Sequence, residues 1–229
     1  MTRHGAIYFG AVCFITMHPF GAAAQSRQLG SVIKTRAGLE KSIQTNPNKA
    51  MVRLQPVNGL QLDLRYGTAN NFTKHVLYPH PAAFLRAKAA KALQAALATL
   101  RQQGCGLKIW DAYRPYHTTC DMWRRTPDRH YVANPKNGSN HNRGLAVDIT
   151  LTDLATGQEK DMGTGFDNFT DSAHRSFTHL PPEAVKNRKI LTDALVAAGF
   201  RPLQREWWHF ACRNDAGYEV LDLDFDQLP

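Results

Sequence analysis

The stretch that decides the fold is Ser139-Asn140-His141-Asn142-Arg143-Gly144-Leu145-Ala146-Val147-Asp148. From Leu145 to Leu151, aliphatic residues alternate with small or polar ones, which predicts a half-buried strand. Asp148 lies on the face opposite the aliphatic side chains, and His141 lies in the loop that enters the strand. Imidazole and carboxylate are both good zinc ligands, so this stretch supplies two ligands of a candidate metal site.

A third ligand comes from the segment Glu206-Trp207-Trp208-His209. His209 completes a His/Asp/His set and leaves the fourth zinc position for water, as in catalytic rather than structural sites. Glu206 is a candidate general base for that water. Because positions i and i+3 of a straight strand face opposite sides, Glu206 must lie on a turn or a β-bulge to reach the site.

The neighbouring segments supply one more functional candidate and the fold class. Arg114 stands just after a predicted strand, where a fixed guanidinium can stabilise an oxyanion on an attacked carbonyl. Mixed helices and strands without regular βαβ alternation predict an α+β fold: a single domain with a central, mainly antiparallel sheet flanked by helices and a zinc site in a cleft on the sheet. The predicted strands cover residues 60–64, 107–111, 145–151, 200–203 and 207–212, and the predicted helices cover residues 82–103, 115–125 and 183–198.

These motifs resemble those of the zinc D-alanyl-D-alanine peptidases, which include D,D-carboxypeptidases. The pattern is Ser139-x-His141-x-x-Gly144-x-Ala146-x-Asp148, followed by Glu206-x-Trp208-His209. Further segments narrow the resemblance to the VanX-type D-Ala-D-Ala dipeptidases, over roughly residues 52–212. They are Leu64-Arg65-Tyr66-Gly67-Thr68-Ala69-Asn70-Asn71-Phe72, Asp111-Ala112-Tyr113-Arg114-Pro115 and Met162-Gly163-Thr164-Gly165-Phe166-Asp167.

The resemblance implies a metallopeptidase mechanism with one Zn²⁺ per chain. It makes His141, Asp148 and His209 the zinc ligands and Glu206 the general base and proton shuttle. Arg114 then stabilises the tetrahedral intermediate that forms when water attacks the peptide carbonyl. The expected reaction is hydrolysis of the dipeptide D-alanyl-D-alanine to two D-alanines.

The resemblance also implies how the dipeptide is bound. Asp167 holds the free amino group with help from Tyr66, and Ser139 lies near the substrate carboxylate. The alternative function is a D,D- or L,D-carboxypeptidase that trims peptidoglycan stem peptides, with peptidoglycan fragments as further candidate partners. An anionic anchor for an ammonium group, such as Asp167, favours the dipeptidase.

Composition excludes several other classes of protein. The 229 residues suit one domain, and a mean hydropathy of −0.42 excludes a polytopic membrane protein. The formal net charge is +9, but no run of five Lys/Arg occurs, which argues against a nucleic-acid partner. A non-catalytic binding module is expected to lack Glu206 or a metal ligand, and all four residues are present.

The amino-terminal residues predict export. Residues 1–24 have a basic start, an apolar run from Ala6 to Phe20 and the sequence Ala22-x-Ala24, as in a signal peptide cut after Ala24. The expected location is therefore periplasmic or secreted, with no stable membrane insertion after cleavage, whereas the resembling resistance enzymes are cytoplasmic. Residues 25–50 are interpreted as an N-terminal extension and residues 51–229 as the zinc D-Ala-D-Ala dipeptidase domain. Export permits one disulfide among Cys105, Cys120 and Cys212, and the sequence leaves the oligomeric state open.

Overall fold

The computed structural model describes Met1 and residues 29–126 and 131–229. Apart from Met1, the predicted signal peptide lies outside these residues. In the described part of the chain, no helix combines the length and the apolar character needed to cross a membrane.

The described residues form nine β-strands and four α-helices. The strands are β1 (Val32–Ile33), β2 (Met51–Arg53), β3 (Leu60–Leu62), β4 (Phe84–Arg86), β5 (Cys105–Asp111), β6 (Ala146–Asp153), β7 (Phe200–Leu203), β8 (Glu206–Cys212) and β9 (Val220–Leu221). The helices are α1 (Arg36–Thr45), α2 (Ala87–Arg101), α3 (Tyr116–Arg125) and α4 (Pro182–Ala197).

A five-stranded sheet in the order β3-β5-β6-β8-β7 forms the centre of the molecule. Strands β3 and β5 run parallel, and the three other neighbouring pairs are antiparallel. Leucines of α2 and α4, such as Leu93 and Leu195, share one buried core with Ile149 of the sheet. The predicted α+β fold with a mainly antiparallel sheet flanked by helices is confirmed.

Strand β6 is more deeply buried than its alternating pattern predicts. Every residue from Ala146 to Thr152 is buried, so the prediction of a half-buried strand is wrong. The strand lies in the middle of the sheet, between β5 and β8, and its polar side chains therefore point into a second buried layer rather than into water. Asp148 belongs to that layer and is only 3% exposed.

Helix α2 begins later than predicted. Residues Phe84–Arg86 pair with Met51–Arg53 as a two-stranded ribbon, so the helix starts at Ala87 rather than at residue 82. Leu85 keeps the apolar spacing of the helix although it lies in β4, because it packs into the same core. The spacing of apolar residues identified the buried positions correctly but not the backbone conformation at the first of them.

Residues 32–50, which belong to the segment interpreted as an N-terminal extension (residues 25–50), pack on the domain. The Thr35 side chain caps α1 by accepting a hydrogen bond from the Gly38 amide at 3.1 Å. Leu39 is 1% exposed and lies in a core cluster with Leu221 and Leu223. The partners of this segment are near the other end of the chain, so its few apolar residues gave no local signal of burial.

None of the cysteines at described positions forms a disulfide. Cys105 and Cys212 are buried free thiols, and Cys120 is a half-buried free thiol. Burial raises the pKa of the Cys212 thiol to about 11, so this side chain is a neutral core residue rather than a nucleophile.

Candidate active site

The three predicted metal ligands come together, two of them on adjacent strands. Asp148 of β6 and His209 of β8 are direct partners in the antiparallel register, and His141 reaches them from the turn before β6. Asp148 Oδ1 lies 3.0 Å from His209 Nδ1 and 3.4 Å from His141 Nε2. The two ring nitrogens are 3.1 Å apart.

A backbone contact fixes the orientation of the His141 ring. Its Nδ1 lies 2.6 Å from the carbonyl oxygen of Ala112, which requires Nδ1 to carry the proton and donate it. The lone pair is then on Nε2, the atom that faces Asp148 and His209. This arrangement, in which the outer ring nitrogen donates to a carbonyl, is common for metal-binding histidines.

The cluster fits a tetrahedral zinc ion. With Zn–N and Zn–O bonds of about 2.0–2.1 Å, tetrahedral ligand atoms lie about 3.3 Å apart, close to the spacing seen here. The ligand atoms of the three residues lie within 4.8 Å of one another. A carboxylate oxygen and the Nε2 lone pair of His141 point at one place, where a cation relieves their mutual repulsion.

The carboxyl group of Asp148 is ionised at neutral pH. Burial alone raises its pKa, but the neighbouring His141 and His209 outweigh burial and hold the pKa well below its usual range. The reverse effect acts on His141, where burial lowers the pKa and the attraction of Asp148 leaves it raised overall. Asp148 is therefore charged and available as an anionic ligand.

Glu206 lies at an irregularity in the sheet, as its spacing from His209 requires. Pro202 pairs with Phe210, but the next residue, Leu203, pairs with Glu206, so the register between β7 and β8 shifts here. The shift brings Glu206 Oε2 to 4.0 Å from His209 Nδ1, and the predicted bulge or turn is confirmed. Burial raises the pKa of Glu206 to about 7, a value suited to proton transfer near neutral pH.

Arg114 is oriented by hydrogen bonds to Asp111, a residue for which sequence analysis predicted no role. Arg114 donates from Nε at 3.0 Å and from Nη2 at 2.6 Å to Asp111 Oδ2. The hydroxyl of Tyr78 donates to the other Asp111 oxygen at 2.6 Å. Arg114 Nη2 also lies 4.0 Å from Asp148 Oδ2, so the guanidinium borders the metal cluster. The Asp-x-x-Arg spacing just after a strand was the available signal for this pair.

Asn142 is a second residue whose role the sequence did not reveal. Its side chain is fully buried and donates to the Arg114 carbonyl and to Thr119 Oγ1, both at 2.9 Å. Its Oδ1 accepts from the amide of Ser139 at 2.9 Å. Asn142 therefore joins the loop that carries His141 to the segment that carries Arg114.

Asp167 lines the same cavity as this loop and has an unusual backbone conformation. Its φ of 56° is in the left-handed region, which aspartate tolerates better than most residues. Its carboxylate accepts a hydrogen bond from the Tyr66 hydroxyl at 3.1 Å and from the Phe72 amide at 3.4 Å. Burial, reinforced by the charge of Asp148, raises the pKa of Asp167 to about 7. Unusual backbone of this kind concentrates at functional sites.

The side chain of Ser139 is partly committed to its own loop. Its Oγ accepts a hydrogen bond from the Asn142 amide at 3.0 Å, while its hydroxyl faces the site cavity. Ser139 lines the same cavity as Asp167, and its contact with a substrate carboxylate stays a prediction.

All eight predicted site residues line one cavity of about 330 Å³. They are Tyr66, Arg114, Ser139, His141, Asp148, Asp167, Glu206 and His209. Beside Asp167, the cavity wall is aromatic: the Phe169 ring lies 5.3 Å from Phe72 and is stacked on Tyr131 at 4.5 Å. The small size suits a ligand of a few residues at most.

Comparison with known sequences identifies the family of this chain. The sequence profile of the D-Ala-D-Ala dipeptidase family matches residues 48–227, most of the chain. The chain belongs to this family. The match begins near the start of the predicted catalytic domain and leaves all of α1 (Arg36–Thr45) outside.

Relatives within the dipeptidase family are similar over most of their length. The D-alanyl-D-alanine dipeptidase of Escherichia coli K12 is 36% identical over 166 residues, which are 72% of this chain and 86% of that protein. The Enterococcus faecium D-alanyl-D-alanine dipeptidase is 30% identical over 69% of this chain and 89% of its own length. A solved structure of the D,D-pentapeptidase VanY with Zn(II) is 16% identical in sequence to this chain. The match covers 57% of this chain and 73% of that one, with a TM-score of 0.39.

Proposed function

We propose that this chain is a zinc dipeptidase that hydrolyses D-alanyl-D-alanine to two D-alanines. The observation that carries the proposal is the convergence of His141, Asp148 and His209 beside Glu206. Membership of the dipeptidase family and the names of its relatives support the choice of substrate.

The metal-binding residues are the His/Asp/His cluster, with one zinc ion per chain. Zinc held there supplies a Lewis acid that lowers the pKa of water toward neutrality and polarises the scissile carbonyl. His141 is oriented for this role by its bond to the Ala112 carbonyl, and Asp148 supplies the negative charge.

Glu206 and Arg114 act on the reacting atoms. Glu206 takes the proton from the attacking water and later delivers it to the nitrogen of the leaving D-alanine. The Arg114 guanidinium stabilises the negative charge that develops on the carbonyl oxygen in the transition state. Because Asp111 fixes Arg114 before substrate binds, little reorganisation accompanies the reaction.

Asp167 selects substrates with a free amino terminus. Its carboxylate accepts a hydrogen bond from the Tyr66 hydroxyl and would pair with the ammonium group of the first D-alanine. The aromatic side chains of Phe72, Phe169 and Tyr131 line the same cavity and pack on one another, and this bulk disfavours substrates with residues before that amino group.

A substrate panel tests the proposal and separates it from the carboxypeptidase alternative. The purified, zinc-loaded protein is assayed with D-Ala-D-Ala, L-Ala-L-Ala and N-acetyl-D-Ala-D-Ala. Of these three peptides, the dipeptidase hydrolyses only D-Ala-D-Ala. The acetylated peptide is not cleaved because the acetyl group removes the positive charge that Asp167 binds. Equal or faster cleavage of the acetylated peptide would instead identify a D,D-carboxypeptidase, and no cleavage of either would reject both functions.

We further propose that the protein acts outside the cytoplasm, in the periplasm or after secretion. The support is the sequence of residues 1–24, with its basic start, apolar run and small residues at positions 22 and 24. Turnover of dipeptide released from cell-wall material suits an enzyme in that location. Fractionation of cells that express the full chain or a variant lacking residues 2–24 tests this; the same distribution for both would contradict export.

A further inference from the structure

A second cavity of about 540 Å³ lies beside the candidate active site. Three residues line both cavities: Asn140, Leu203 and His209. The second cavity therefore adjoins the active site at Asn140, the neighbour of Ser139 in the chain, and Asp167 does not line it. No role in the proposed reaction involves the residues that line it beyond this border.

Two arginines line this cavity, and the sheet register places one of them on the same face as the metal cluster. Arg201 of β7 is the direct partner of Ala211, which lies two residues after His209 on β8. Arg213 follows Ala211 by another two residues. Because side chains alternate between the faces of a strand, Arg201 lies on the face that also carries His209, and Arg213, one residue past the end of β8, lines the same cavity.

Both arginines are exposed and available to a ligand. Among the described residues, no ion pair or hydrogen bond involves either guanidinium group. The acid in the cavity, Asp215, is already paired with Lys88, whose Nζ lies 2.6 Å from Asp215 Oδ2. The charge of Arg213 only adds to the effects that lower the pKa of Asp215. The cavity therefore has an excess of positive charge.

We propose that this cavity is a subsite for an acidic side chain on the carboxy-terminal residue of the substrate. The inference rests on the proposed function, which places the amino end of a dipeptide at Asp167, and on the predicted contact between its carboxyl end and Ser139. The two cavities share Asn140 and Leu203, so a side chain longer than the methyl group of D-alanine could extend from the first cavity into the second. Guanidinium groups bind carboxylates through charge-assisted, often bidentate hydrogen bonds, so dipeptides ending in D-glutamate belong to the substrate range.

The test compares two substrates that differ in one charge, D-Ala-D-Glu and D-Ala-D-Gln. A charge-assisted hydrogen bond contributes about 1.5–3 kcal/mol, so the wild-type protein should prefer D-Ala-D-Glu at least about tenfold in kcat/KM, mainly through a lower KM. The double variant R201Q/R213Q should bring the two values together. The matched control is R205Q. Arg205 is an exposed arginine in the turn between β7 and β8, it lines neither cavity, and its replacement should leave the preference for D-Ala-D-Glu unchanged.

Three outcomes would overturn the subsite: a wild-type ratio near one, an unchanged ratio in R201Q/R213Q, or the same loss of preference in R205Q. Cleavage of D-Ala-D-Ala by the wild-type protein reports separately on the proposed function. If that cleavage is absent, calorimetric titration with D-glutamate and D-glutamine still tests the subsite. D-Glutamate should then bind more tightly than D-glutamine to the wild-type protein and equally to the double variant; equal binding to the wild-type protein would reject the subsite.

Discussion

The two halves of the candidate site are built in different ways. Two of the three metal ligands, Asp148 and His209, lie on neighbouring strands and are fixed by the register of the sheet, and His141 lies on the turn before β6. The substrate-binding half lies on connecting segments, where Asp167 has a left-handed backbone and depends on single hydrogen bonds from Tyr66 and Phe72. We infer that the sheet fixes the reacting groups while the loops discriminate between substrates. Changes to the first half should therefore abolish turnover, and changes to the second should mainly alter KM.

The largest effect is expected from His209→Ala on the sheet. The change removes one of three protein ligands, so zinc should be lost and D-Ala-D-Ala hydrolysis should fall by more than about a thousandfold. Metal analysis of the purified protein and initial rates measure both effects. The control is His179→Ala, an exposed loop histidine, which should retain zinc and activity. Full zinc content in His209→Ala would remove His209 from the ligand set.

A smaller loss is expected from Arg114→Lys at the edge of the metal cluster. Lysine keeps the positive charge but cannot make the two bonds to Asp111 that orient the guanidinium. We expect kcat to fall by about 10²–10³-fold, as when one oxyanion donor is removed, with zinc retained. A rise in KM with unchanged kcat would place Arg114 in the substrate-binding half instead.

In the loop half, Asp167→Asn should act on KM. Asparagine has nearly the same shape and also tolerates a positive φ, but it has no charge for the substrate ammonium group. We expect KM to rise about 10- to 100-fold at pH 8 with kcat changed by less than about threefold, since charged hydrogen bonds contribute about 1.5–3 kcal/mol. Steady-state kinetics with D-Ala-D-Ala measure kcat and KM separately. An equal fall of kcat and kcat/KM would contradict the assignment of Asp167 to substrate binding.

The same residue predicts a pH dependence of substrate binding. The pKa of Asp167 is raised to about 7, so its carboxyl group is protonated and neutral at lower pH. Affinity for the ammonium group is then present above this pKa and lost as the pH falls through it, and KM should rise on the acid side. Asp167→Asn should have a high KM with no such rise. The same acid-side rise in the variant would assign it to another group.

The smallest effect is expected where the two halves meet. Trp207 Nε1 donates to Thr164 Oγ1 at 2.7 Å, which ties the segment before Asp167 to β8. Trp207→Phe should lower the free energy of unfolding by about 1 kcal/mol and raise KM a few-fold at unchanged kcat. The matched control is Trp110→Phe, because the buried Trp110 Nε1 has no hydrogen-bond partner among the described residues. Equal effects of both changes on stability and KM would show that ring packing, rather than the hydrogen bond from Trp207 to Thr164, is responsible.

The sequence predicted the metal cluster better than its supports, for physical reasons. Three metal ligands and a base have chemical identities that sequence motifs display directly, and strand periodicity located β6 and β8. Arg175 gave no such signal: its guanidinium donates to the carbonyl oxygens of Leu203 and Trp207, bracing the irregular β7–β8 pair. Such contacts join residues about 30 positions apart through backbone atoms, which no side-chain pattern records. The burial of α1 against Leu221 and Leu223 could not be predicted either, because these residues are far from α1 in the sequence.

Glu206→Ala tests the central claim most directly. Glu206 accepts the proton from water in the proposed mechanism and is not one of the three zinc ligands. The variant should therefore bind about one zinc per chain, as the wild-type protein does, and hydrolyse D-Ala-D-Ala at least about a thousandfold more slowly. Zinc content and kcat are measured on the same preparation. Near-normal turnover with zinc retained would contradict the assignment of Glu206 and the mechanism built on it.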